Sequence, residues 1–223
     1  MLVASRSQAR CFRSFVRVFV PGLFMLSVVC CQKKGNPAVN SPFHDGDVIF
    51  QSLPSGRSDA IQLATHSKYS HCGIVFWEGG KCYVYEAFMT VRSTPLQKFL
   101  DRSKDRHYAV RRFRNADSLF SSDEVVRMFI KNYYKLYNGK PYDVYYAESD
   151  EKIYCSELVW KLYKASANVD LGPWQRLRDF DLNDPLVQEE LTMAYGDKIP
   201  FDELIISPEA LYTSSNLVTV MEK

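Results

Sequence analysis

His71-Cys72-Gly73-Ile74-Val75-Phe76-Trp77-Glu78-Gly79-Gly80-Lys81-Cys82-Tyr83-Val84-Tyr85-Glu86-Ala87-Phe88 holds two β-rich runs on either side of a Gly-Gly turn. Branched and aromatic residues favour strands, and paired glycines supply the positive φ angles that a tight hairpin turn demands. With the turn at Gly79-Gly80, Trp77 opposes Cys82, Val75 opposes Val84 and Gly73 opposes Glu86. Side chains alternate between the faces of a sheet, and opposed residues share a face. His71, Gly73, Val75, Trp77, Cys82, Val84 and Glu86 therefore lie on one side, and Cys72, Ile74, Phe76, Tyr83, Tyr85 and Ala87 on the other.

This register makes His71 and Glu86 diagonal neighbours, roughly 7–8 Å apart in the backbone and closer at their tips. Gly73, facing Glu86, leaves room for the approach. A carboxylate beside an imidazole fixes its tautomer and stabilises the imidazolium, the orienting role in a nucleophile–base–orienter triad. The plainer alternative is an edge glutamate that solubilises the strand; apolar neighbours on both sides of Glu86 argue against it. Cys72 and Cys82 fall on opposite faces, so a bridge between them is not expected. Nor is a zinc site built from His71, Cys72 and Cys82, because its ligands must converge on one point. By the same parity Cys72 is expected to point away from the site.

The matching nucleophile lies in Ile153-Tyr154-Cys155-Ser156-Glu157-Leu158-Val159-Trp160. Leu158, Val159 and Leu162 follow Cys155 at i+3, i+4 and i+7, the spacing of one helical stripe. A thiol in the first turn of a helix faces unpaired N–H groups and the positive end of the helix dipole, both of which favour thiolate. For a lone cysteine on an apolar stripe, plain packing is the competing explanation.

Around these motifs the chain predicts an α+β domain with an antiparallel sheet core. Asp45-Gly46-Asp47 turns into a short strand, Val48 to Gln51. A short helix covers Ser58 to Thr65, capped by Ser58 or Asp59. Thr94-Pro95 reads as a cap and first-turn proline for a helix from Leu96 to about Ser103. Tyr108 to Phe113 is a strand. Ser121-x-x-Glu124 is a capping box opening a helix to about Tyr137, with Val125, Phe129, Tyr133 and Leu136 on one face and Gly139 past its end. The Cys155 helix runs to about Ala167. Asp184-Pro185 and Ser207-Pro208 open two further helices, and Leu217 to Met221 forms the closing strand.

Residues 1–31 read as a signal peptide: Arg6, Arg10, Arg13 and Arg17 precede an apolar run from Val18 to Cys31. That run is shorter than the roughly 20 residues a membrane-spanning helix needs. Cys30 or Cys31 at its end resembles the lipidated cysteine of a bacterial lipoprotein, although Val29 stands where a small residue is usual; plain secretion or a retained anchor is the alternative. Residues 32–42 form a polar tether, and 43–223 one domain. The four arginines of the leader leave 24 of the 28 basic residues against 26 acidic ones, so the rest of the chain carries −2. No basic stripe with interleaved aromatics suggests nucleic acid. Cys72, Cys82 and Cys155 are an odd set of thiols in an exported domain, which leaves at least one unpaired.

The order His, Glu, Cys inverts that of papain-like enzymes. Gly46-Asp47-Val48-Ile49-Phe50 ahead of Tyr69-Ser70-His71-Cys72-Gly73-Ile74-Val75, with Tyr154-Cys155-Ser156-Glu157-Leu158 late, resembles the circularly permuted branch of the NlpC/p60 superfamily of cysteine hydrolases, the YiiX/YebB-like group. The turn Gly139-Lys140-Pro141-Tyr142-Asp143 and the tail Ile206-Ser207-Pro208 fit that group as well. The resemblance implies a permuted papain-like fold, a small sheet or barrel packed against the nucleophile helix. It assigns Cys155 as nucleophile, His71 as base and Glu86 as the residue orienting the His. Cys72 stands where a small aliphatic residue is more usual.

The expected chemistry is acyl transfer through a thioester, with the Cys155 N–H as one oxyanion donor, no cofactor and no metal. Tyr142 and Tyr154 are candidate substrate-binding residues. The leading function is a cell-envelope amidase or peptidase acting on cell-wall peptides, in the periplasm or on the outer surface, held to a membrane by its lipid anchor. The alternatives are a lipid acyltransferase or deacylase of the lecithin:retinol acyltransferase-like type, and an inactive fold used for binding. A long apolar groove favours acyl chains, whereas a short polar pocket with charged walls favours peptides.

Overall fold

The computed structural model describes residues 41–223. The leader 1–31, its lipidation candidates Cys30 and Cys31, and all but the end of the tether lie outside the described residues. Among the described residues no helix is long and apolar enough to cross a membrane.

The strands are β1 (Val48–Gln51), β2 (His71–Glu78), β3 (Lys81–Phe88), β4 (Thr90–Pro95), β5 (Tyr108–Phe113), β6 (Gln175–Arg176), β7 (Leu204–Ile205) and β8 (Leu217–Glu222). The helices are α1 (Gly56–Thr65), α2 (Leu96–Leu100), α3 (Ala116–Leu119), α4 (Asp123–Asn132), α5 (Cys155–Ala167), α6 (Pro185–Tyr195) and α7 (Pro208–Tyr212). Six strands form one sheet in the order β4-β3-β2-β1-β5-β8, every neighbouring pair antiparallel. It is an open sheet with β4 and β8 at its edges. β6 and β7 make a separate two-stranded ribbon.

The hairpin has the expected register: Trp77 pairs with Cys82, Val75 with Val84 and Ile74 with Tyr85. Gly79 and Gly80 take φ of +56° and +76°, the left-handed region their positions require. Parity divides the core into two layers. Cys72, Ile74, Phe76, Tyr85 and Ala87 pack with Cys155, Leu158, Val159 and Leu162 of α5. Ile49, Val75, Val84 and Val110 pack on the opposite face with Phe99 of α2.

Several boundaries differ from the sequence expectation, each for a physical reason. Ser55, rather than Ser58 or Asp59, caps α1 by accepting the Ser58 N–H at 3.2 Å. Ser58 is buried, its hydroxyl paired with that of Ser70. Thr94 does not cap a helix: Thr94 and Pro95 end β4, and α2 begins at Leu96 without a side-chain cap. Ser122 caps α4, whose chain continues through a π-type turn, Tyr133–Tyr137. The wider turn moves the buried stripe along by one position, so Tyr137 is buried and Leu136 exposed. Asp184 and Ser207 cap α6 and α7 as expected.

Candidate active site

Cys155 is the first residue of α5, 3% exposed, with Tyr154 as the N-cap. The Glu157 carboxylate accepts the Tyr154 N–H at 3.3 Å, and Ser156 donates to the Ile206 carbonyl at 2.7 Å. Both contacts pin the first turn to its surroundings. As the leading helical residue, Cys155 has an N–H without an intrahelical acceptor.

His71 opens β2 and is buried, stacked against Phe99 with ring centroids 5.6 Å apart. Its Nε2 donates to Glu86 Oε2 at 2.7 Å. Gly73 makes this approach possible: a Cβ there would strike the Val84 side chain and stand 2.9 Å from the Tyr85 carbonyl oxygen. Glu86 is fully buried, and its other oxygen accepts from Thr94 Oγ1 and from Arg102 Nη2, both at 2.5 Å. Arg102 in turn lies over the Phe88 ring, 4.2 Å from its centroid. Burial drives the Glu86 carboxyl up, but the His71 and Arg102 hydrogen bonds and charges overcome it and hold the group at about 2.

Burial likewise pushes His71 down, and its hydrogen bonds to Cys155 and Glu86, with the charges of both, reverse that and raise it to about 9. The Cys155 thiol is held well below its ordinary value, first by a hydrogen bond from the Cys72 thiol. Burial opposes this, and the His71 hydrogen bond and charge and the Cys72 N–H reinforce it. Both shifts favour the charged forms, thiolate at Cys155 and imidazolium at His71. Cys72 corrects the parity argument. It does face the layer opposite His71, yet that is the layer on which α5 packs, so Cys72 meets Cys155 instead of avoiding it. Cys155 stands at the end of β2, where neighbours from both faces reach it. Cys72 itself is pushed well up by burial and by the neighbouring thiolate.

Two clefts open at this point. The first, about 110 Å³, has Cys155, Ser156 and Tyr154 in its lining. Its other walls are mostly aliphatic and aromatic: Ala60, Ile61 and Ala64 of α1, Val187, Leu191 and Ala194 of α6, with Leu177, Phe180 and Ile206. The second, about 440 Å³, is lined by His71, Ser55, Ser58, Ser70, Phe88 and Met89 among others. Arg57, Ile61, Tyr142 and Val144 line both.

Of the two tyrosines singled out, Tyr142 stands on this dividing wall. Its N–H is tied to the Met89 carbonyl at 3.0 Å, and burial pushes its hydroxyl up, so it stays a protonated donor. Tyr154 lines the first cleft with its ring, while its hydroxyl accepts the Ile206 N–H at 3.0 Å and serves the fold. Sequence reasoning missed Thr94, Arg102, Arg57 and Tyr146. Tyr146 lines the first cleft from a left-handed backbone, φ +52°, that bulky residues seldom adopt. No local pattern marks Arg57 or Arg102. Thr94 carried a signal that pointed elsewhere, to a cap.

The family model for permuted papain-like amidases of the YaeF/YiiX type, family C92, matches residues 42–221. The uncharacterised protein YiiX of Escherichia coli K12 is 39% identical over 178 residues, covering 80% of this chain and 86% of that one. A crystal structure of YiiX from Escherichia coli O157:H7, described as a metalloprotein, aligns with a TM-score of 0.77 and 39% identity over 82% of this chain and 99% of that one. Among the described residues here, no three His, Cys, Asp or Glu side chains come together as a donor set for a metal ion. With the model matched across the whole described domain, the strand register and the two layers in place, this chain belongs to the permuted papain-like amidase family YaeF/YiiX, C92.

Proposed function

We propose that the protein is a cysteine amidase that takes its acyl group from substrates with an aliphatic chain, with Cys155 as nucleophile, His71 as acid and base, and Glu86 as the residue orienting His71. The observation that carries the acyl preference is the cleft at Cys155, whose walls are mostly apolar, with Arg57 and Glu190 as its ionisable lining residues besides Cys155 and the tyrosines. A charged cell-wall peptide would find few partners there, whereas an alkyl chain would exchange water for α1 and α6 side chains.

Glu86 holds Nε2 of His71, which leaves Nδ1 to exchange protons with the thiol and the leaving group. The Cys155 thiolate attacks the amide carbon, and the oxyanion forms beside the Cys155 N–H at the start of α5. The imidazolium gives its proton to the departing nitrogen, and the C–N bond breaks to leave a thioester and a free amine. Neutral His71 then draws a proton from water as its oxygen attacks the thioester. The carboxylic acid departs and the thiolate–imidazolium pair returns. An exported, lipid-anchored chain, as argued from residues 1–31, would work on acyl amides at the envelope.

The test is a series of N-acyl aminocoumarins of rising chain length, with the wild type set beside Cys155→Ala. Each added methylene that enters the cleft is worth up to about 0.8 kcal/mol, or about fourfold in kcat/KM. A rise with chain length that vanishes in Cys155→Ala supports the reading. A flat series, or faster turnover of charged muropeptides, rejects the acyl preference. Binding of acyl amides without turnover in the wild type would instead favour an inactive binding fold.

A further inference from the structure

Thioester chemistry divides a substrate in two: the acyl half stays on the nucleophile, and the amine half leaves with a proton from the acid. The clefts divide in the same way. One is lined by Cys155 and not by His71, the other by His71 and not by Cys155. We propose that the His71 cleft is the leaving-group subsite and that Arg57 there selects amines carrying an anionic group, a carboxylate or a phosphate. This rests on the assignment of Cys155 and His71 as nucleophile and acid.

The charge inventory of the second cleft carries the argument. Besides His71, Arg57 is the ionisable cation among its lining residues, and no carboxylate lines it. Glu86 is fully buried behind His71 and already engaged on both oxygens. The serine hydroxyls are occupied by the fold: Ser55 caps α1, and Ser58 pairs with Ser70 and accepts the Leu53 N–H at 3.0 Å. Arg57 is held differently. Its Nε donates to Glu190 Oε2 of α6 at 3.2 Å, which fixes the plane of the guanidinium. Among the described residues neither terminal nitrogen has a hydrogen-bond partner, and the side chain is 41% exposed. A guanidinium oriented on one edge presents a fork that matches a carboxylate or phosphate on the other. The Tyr142 hydroxyl, on the same dividing wall, adds a protonated donor. An amine bearing a second positive charge would meet Arg57 and His71 in a cleft that no carboxylate lines, because Glu190 and Glu86 are already engaged with these two side chains.

Four probes with one acyl chain test this: N-dodecanoylglycine against N-dodecanoylglycinamide, and N-dodecanoyl phosphoethanolamine against N-dodecanoylethanolamine. The wild type is expected to favour the anionic member of at least one pair by about tenfold to a hundredfold in kcat/KM. Whichever pair shows the larger ratio identifies carboxylate or phosphate. In Arg57→Gln the ratio falls toward one, and Arg57→Lys retains part of it. A wild-type ratio near or below one overturns the proposal, as does an undiminished ratio in Arg57→Gln. Should Arg57→Gln fail to fold, the wild-type ratio and its decline with added salt decide the matter. Turnover of neutral dodecanoyl amides that requires Cys155 but ignores charge would reject this subsite alone. No turnover of any probe would reject the acyl-amide reading and the subsite with it.

Discussion

Cys72 of β2 lies in the same buried layer as Cys155 of α5, and each thiol shifts the other's titration. Cys72 is pushed up by burial and by its neighbour Cys155, whereas Cys155 is drawn down by the Cys72 thiol. Cys72→Ala is expected to raise the Cys155 pKa and to slow iodoacetamide alkylation of Cys155 at mildly acidic pH by about tenfold or more. Cys72→Ser keeps a donor and should retain most of the reactivity. Equal alkylation rates across pH in all three proteins would remove Cys72 from the reaction centre.

Glu86→Gln takes the carboxylate from His71 and leaves Arg102 beside a neutral amide. The His71 pKa then falls from about 9, and the alkaline limb of the kcat/KM profile moves to lower pH. Activity should drop by about 10²-fold or more, and breaking the buried pair should cost up to about 3–5 kcal/mol in urea unfolding. A wild-type alkaline limb unchanged in the variant would show that Glu86 does not set the charge state of His71.

Stability should follow pH from both partners. Glu86 is lowered from 4.5 to about 2, so its stabilisation is present above 4.5 and lost as pH falls toward 2. His71 is raised from 6.5 to about 9, so its stabilisation is complete below 6.5 and lost as pH climbs through 9. Arg102→Met removes a partner that lowers Glu86, so acid unfolding should begin at higher pH than in the wild type. Thr94→Val, which deletes the 2.5 Å hydrogen bond to Glu86, should act in the same direction at a cost of about 1 kcal/mol. Circular dichroism across pH reads both.

Gly73→Ala places a methyl group against Val84 and the Tyr85 carbonyl. Strands β2 and β3 must part, which should cost about 1–3 kcal/mol or more and lengthen the His71–Glu86 hydrogen bond. Denaturant titration measures the first effect, and the imidazole proton shift of His71 in NMR spectra the second. An unchanged shift in a destabilised protein would mean that Gly73 serves packing alone.

The hairpin shows how far local pattern reaches. Gly79-Gly80 set the turn, the turn set the register, and the register put His71 and Glu86 on one face. Cys155 at the start of α5 was equally legible, because an apolar stripe announces a helix and its first residue. Thr94 was misleading for the opposite reason. A Thr-Pro pair before an apolar run has the form of a cap, and only the pairing of β4 with β3 brings its hydroxyl to Glu86 instead.

By itself, then, the sequence determined most of the longer elements and the hairpin register, and it singled out Cys155, His71 and Glu86, because spacing along the chain or a single turn records them; β4, α3 and the β6–β7 ribbon leave no such local mark. The tertiary structure decided that Cys72 meets Cys155, that Arg102 and Thr94 hold Glu86, and that Arg57 stands between two clefts of different polarity. Those relations depend on how α5 lies across β2 and how α1 meets α6, where Arg57 and Glu190 are brought together from 133 residues apart. Packing between elements is set by the fit of whole surfaces, and no local spacing records it.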